Sequence, residues 1–109
     1  MKDYASMSDR KINMHVASII YPESTVIESR SRPPCAFVTG SIPDCWVDYC
    51  NNPADAWPII TEAKISLLSV DCINGSSSWL AKSRSCPSRG DSNPLRAAMI
   101  VFLMMKEGE

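Results

Sequence analysis

"IITEAKISLLSVDCINGSSSWLAK", residues 59–82, is the stretch on which the fold class turns. It carries two periods. Ile60, Ala63, Leu67 and Leu68 fall on one helical face, with Thr61 placed to cap it. Leu68, Val70 and Cys72 alternate like a strand and run into Asn74-Gly75. That dipeptide supplies the two positive-φ positions of a tight hairpin turn. The spacing therefore predicts a helix over 59–68, a strand into the turn, and "SSSWLAK" (residues 76–82) as the return strand. A helix followed by a hairpin points to an α+β fold.

Upstream, "NNPADAWP" opens a helix with Asn52 as cap and Pro53 as first residue, and Pro58 is expected to stop it after about one turn. "CWVDYC" puts Cys45, Val47 and Tyr49 on one face of a strand and Trp46 and Asp48 on the other. "CAFVT" (35–39) has strand composition, and "TVIE" (25–28) makes a short strand. Between them "SRSRPP" (29–34) reads as an extended, solvated linker, because two prolines remove backbone donors and push their predecessors out of helical space. Further back, Ile12, Met14, Val16 and Ile20 alternate with Asn13, His15 and Ala17. That two-residue period predicts a half-buried strand. Residues 1–11 mix both charges and are expected to be flexible.

Downstream, residues 83–93 form a loop of Ser, Arg, Pro and Gly, also expected to be flexible. The last element is the clearest. Asn93 caps, Pro94 suits the first helical position and Gly108 the exit, which predicts a helix over 94–107. Its apolar run, Ala97 to Met105, is about half a bilayer crossing, so no transmembrane segment is expected. The whole reads as one small α+β domain over 1–109, with three to five short strands, one central and one C-terminal helix, and possible partial order only. The expected core includes Ile12, Val16, Ile20, Phe37, Val47, Ile60, Leu67, Leu68, Ile100, Val101 and Leu103, with Trp57 and Trp79 as packing residues.

Composition bounds the function. The 109 residues carry a net charge of −1, with 11 basic and 12 acidic residues interspersed. Nucleic-acid binders usually show a basic face, and the cluster Lys82, Arg84, Arg89 and Arg96 lacks interleaved aromatics, so no nucleic-acid partner is expected. Leu, Ile, Val and Phe together make 23 residues against 16 serines. That is a lean core, close to the level associated with disorder. Together with the absence of glutamine, it leaves open a reading frame without selected function.

The chemical motifs are sparse. Arg89, Gly90 and Asp91 spell a tripeptide that adhesion ligands present on exposed loops, which gives the alternative of a secreted adhesion peptide. That use requires export, and no signal peptide is visible, so a cytoplasmic location is favoured. The odd count of five cysteines fits reduced thiols in a core. Cys45 and Cys50 stand at the loose end of zinc-ligand spacing, with His15 and Cys35 able to complete a site only through the fold. A thiol- or metal-dependent enzyme is the third alternative. No nucleophile elbow or phosphate loop is present. Ser29 to Arg32 and Ser83 to Ser85 are basic-serine runs open to phosphorylation. The sequence thus points to a small non-catalytic protein without a cofactor, whose apolar C-terminal segment meets a protein partner.

Overall fold

The computed structural model describes residues 3–40, 42–71, 73–84, 86 and 88–107. Three helices and two separate three-stranded antiparallel sheets form a single α+β domain.

A 3-10 turn over Tyr4–Ser6 leads into helix α1, Asp9–Ile20. The expectation of a strand here is corrected. Ile12 and Val16, and Asn13 and Ala17, are pairs four residues apart, and all four are buried on one stripe. The alternation of Met14 and Ile20 with polar residues was coincidental, and Ile20 is exposed. Ser8 starts the helix by accepting the Lys11 N–H at 3.3 Å, with Asp9 in the positive first turn.

Strands β1 (Thr25–Glu28), β2 (Ala36–Thr39) and β3 (Cys45–Val47) follow in that sheet order. Val26, Val38 and Cys45 lie in one row, Ile27, Phe37 and Trp46 in the next. Ala36, Val38 and Val47 are buried, and α1 packs on this sheet. The second row therefore points outward, as side chains alternate along each strand.

Helix α2 spans Pro53–Ala63, capped by Asn52, which accepts the Ala54 N–H at 3.0 Å. It runs through Pro58 instead of stopping there. The carbonyl left without a donor belongs to Ala54, which is exposed and can be hydrated. The helix ends earlier than the predicted Leu68. Lys64 takes a left-handed conformation (φ 57°), and the Ile65 N–H reaches back to the Ile60 carbonyl at 3.0 Å. This is the Schellman closure, with buried Ile60 and Ile65 on its apolar side. Leu67 and Leu68 are consequently strand residues.

Strand β4 (Ser66–Asp71) pairs with β5 (Ser77–Lys82), so the hairpin forms, and its return strand lies where the sequence put it. The turn differs. Asp71 pairs with Ser77, leaving five connecting residues, 72–76, rather than two. Within it, Asn74 Oδ1 accepts the Ser76 N–H at 3.0 Å, and Gly75 takes φ +87°. The Asn side chain thus builds the turn that its backbone was expected to build. Cys72 lies outside the described residues.

Strand β6, Arg89–Asp91, adds to β5 antiparallel, which corrects the loop expected across 83–93. Helix α3, Pro94–Glu107, has the predicted bounds. Asn93 Oδ1 accepts the N–H groups of Leu95 and Arg96 at 3.0 and 3.3 Å. Ala97 to Leu103 are all buried, because α3 lies between the β4–β5–β6 sheet, α1 and α2. The apolar segment is thus mainly core. Ile12, Val16, Val47, Ile60, Ile100, Val101 and Leu103 are buried as expected. Leu68, Trp57 and Trp79 are exposed instead, while Phe37 and Leu67 are half-buried.

Candidate functional site

Three regions concentrate side-chain chemistry. The first is a polar hub around Arg96. This guanidinium, its side chain only 14% exposed, meets Asp9 at 2.6 Å and Asp91 at 3.2 Å. It also donates to the carbonyls of Ala5 and Met7 at 3.1 and 2.5 Å. Helix α3 positions it one turn inside Asn93, so it reaches both the N-terminal turn and β6. Beside it Asn13, fully buried, donates to the Pro34 carbonyl at 3.0 Å and to Asp48 at 2.9 Å, and accepts the Cys50 N–H at 3.2 Å. Asn51 donates to both Asp9 and Asp48, and Asn93 donates to the Cys50 carbonyl at 2.6 Å. The hub ties together four segments distant in sequence. Its donors and acceptors are spent on one another, which suits a structural role.

The hub also takes up the adhesion tripeptide. Asp91 accepts from Arg96 Nε and from the Asn93 N–H at 2.9 Å, and Arg89 donates to the Ser88 carbonyl at 3.2 Å. Arg89, Gly90 and Asp91 lie in an edge strand opposite Ala81, Leu80 and Trp79. The geometry is that of a sheet edge, not of a projecting loop.

The described thiols sit on different elements. Cys45 is half-buried in β3, whereas Cys50 lies buried before α2. Among the described residues, Cys35, Cys45 and Cys50 are free thiols, and no group of three His, Cys, Asp or Glu could hold a metal ion. Burial, then the Asp9 carboxylate, pushes the Cys50 thiol up to about 12. Burial chiefly raises Cys35 and Cys45 as well. Thiols held protonated are poor nucleophiles. Tyr4 is pushed up to about 12 by burial and by its hydrogen bond of 2.8 Å to Glu107.

The second region is an apolar groove of about 520 Å³ where the C-terminal ends of the three helices meet. Ile19 and Ile20 of α1, Pro58 and Ile59 of α2, and Phe102 and Met105 of α3 line it, with Glu62 and Lys106 on its rim. Of the C-terminal segment, this last part lines the groove.

The third region is the outer face of the first sheet, with a depression of about 380 Å³ lined by Ile27, Arg30, Phe37 and Trp46 among others. The rings of Phe37 and Trp46 lie 5.1 Å apart, tilted by 49°. The Arg32 guanidinium stands 4.2 Å above the Trp46 ring. Trp46 is legible in sequence as the residue facing away from Cys45 and Val47. Arg32 over its ring, and the Arg96 hub, were not, since nothing local marks either.

Comparison with known proteins gives one result. A family model described as "Bacteriophage P22, NinX" matches residues 3–106. A sequence pattern shared across a family over that length argues against an unselected reading frame. No curated protein and no solved structure matches the chain.

Proposed function

The chain belongs to the NinX family of bacteriophage P22, and from that premise we propose that it is a small phage protein that acts by binding another protein rather than by catalysis. The hub's polar groups are engaged with one another and the Cys35, Cys45 and Cys50 thiols are held towards their neutral forms, whereas apolar side chains are left at the surface in a shaped depression. The observation that carries the reading is the groove where α1, α2 and α3 end. Ile19, Ile20 and Met105 converge there, and Trp57, 58% exposed, stands one residue before Pro58. Contiguous exposed apolar surface of this kind marks interaction sites more often than idle surface.

The occupant that fits is an amphipathic helix of a partner polypeptide, its apolar side in the groove and its charges meeting Glu62 and Lys106. The C-terminal segment thus takes part through its last turn, while its remainder holds the core. A photocrosslinking amino acid placed at Ile20, with Ser69 on exposed β4 as control, tests this in a bacterial host. A discrete product from position 20, abolished by Met105→Glu and absent from position 69, is expected. A smear identical from both positions, or no product from position 20, would overturn it.

A further inference from the structure

The outer face of the β1–β2–β3 sheet carries a second reading, independent of the groove. Ile27, Phe37 and Trp46 stand side by side across three paired strands. Ile27 is 48% exposed and Trp46 39%. Three large apolar groups in a row on the solvent side of a sheet form a contiguous patch of the kind that marks interaction sites. The Ser29–Arg32 run borders this row and is held rather than loose. Ser29 is buried, and its Oγ accepts the Arg32 N–H at 3.0 Å. The Ser29 N–H donates to the Cys35 carbonyl, and the Cys35 N–H to the Arg32 carbonyl at 2.8 Å. The linker is thereby folded back so that Arg32 stacks on Trp46 and Arg30 lines the same depression.

Charge follows the same pattern. Arg30 lines the depression and Arg32 stacks on Trp46, while Glu28, at its edge, is paired at 2.9 Å with Arg10 of α1. The chain as a whole is net −1. Two guanidinium groups, of Arg30 and Arg32, nevertheless stand beside the aromatic pair. The expectation against nucleic acid rested on total charge and on a cluster, Lys82 to Arg96, without aromatics. Here aromatics and arginines interleave.

We propose that this face binds single-stranded nucleic acid. One or two bases stack on the Phe37, Trp46 and Arg32 planes, since three strands span only about 10 Å. Arg30 and Arg32 meet the adjoining phosphates. An acidic peptide would satisfy the arginines but leave the rings unused, so flat bases on an anionic backbone match both features. Base stacking selects little among sequences, and affinity falls with salt.

The test is fluorescence anisotropy of a short labelled oligothymidylate titrated with the full chain over a range of salt. Binding is expected, with a logarithmic salt slope of about −1.4 for two phosphate contacts. Trp46→Leu should weaken it about tenfold or more, while Trp57→Leu leaves it unchanged. If Trp46→Leu does not fold, Arg30→Glu asks the same question at an exposed position and should also reduce binding and flatten the salt slope. Absence of binding at low salt overturns the proposal. So does equal affinity of the folded Trp46→Leu or Arg30→Glu variant and the parent, or competition by an acidic peptide as effective as that by unlabelled oligonucleotide.

Discussion

Arg96 and Arg32 are both held by their neighbours, yet their charges end in different places. Arg96 spends its guanidinium inside the molecule, on Asp9, Asp91 and two backbone carbonyls, with its side chain 14% exposed. Arg32 lies over the Trp46 ring at the surface, with its backbone fixed by Ser29 and its face towards solvent. The difference separates two jobs within one small chain. A charge matched on every side holds the fold. A charge resting on an aromatic plane stays available to something outside.

The strongest way to break that contrast is to remove Arg96. Arg96→Met keeps the aliphatic stem but leaves Asp9, Asp91 and the Ala5 and Met7 carbonyls without their donor. Urea unfolding should show a loss of about 3 kcal/mol, the scale for stripping one partner from a largely buried ionic network. A loss below ~1 kcal/mol would place Arg96 among ordinary surface ion pairs. Next comes Asn13→Ala, expected to cost about 2 kcal/mol, since the Cys50 N–H and the Pro34 carbonyl lose their partner inside the protein.

The third effect belongs to alkali. Cys50 is raised to about 12 from an ordinary 9.0, and Tyr4 to about 12 from 10.0. The folded state favours the neutral form of both groups. Their contribution is full below the ordinary values and is lost as pH climbs from about 9 towards 12. Thermal unfolding followed across that window should show the midpoint falling, with a shallower fall in Cys50→Ala. A parallel fall in the variant would remove Cys50 from the account. The smallest effect is expected at the open face. Trp46→Ala should cost about 1 kcal/mol, the low end of the combined scale of an exposed cation–π contact and one aromatic pair.

The sequence announced the local devices and not the distant ones. Helix α3 was legible because Asn93, Pro94 and an unbroken apolar run agree with one another. The short strands over 25–28 and 36–39 were legible from composition, and β5 from its pairing with a turn signal. In α1, Ile12, Met14 and Val16 satisfy a period of two as readily as one of 3.6, and the Ser8 cap was the cue that decides between them. In α2, Pro58 was given more weight as a stop than an exposed helix face imposes, and the true stop, Lys64 in a left-handed conformation, has no glycine to mark it. The hub was invisible for a different reason. Arg96 and Asp9 are 87 residues apart, and only the packing of α3 against α1 and the N-terminal turn brings them together. The stack of Arg32 on Trp46 likewise depends on a loop folded back by one serine hydroxyl.

The most direct test uses the three tryptophans as separate reporters. In a proton–nitrogen spectrum of the labelled full chain, each indole N–H gives its own signal, assigned by replacing one Trp at a time. On titration with a short oligothymidylate at low salt, the Trp46 signal is predicted to shift progressively while those of Trp57 and Trp79 stay in place. Three unmoved signals, or a shift at Trp57 or Trp79 with Trp46 unchanged, would contradict the division between a closed hub and an open face.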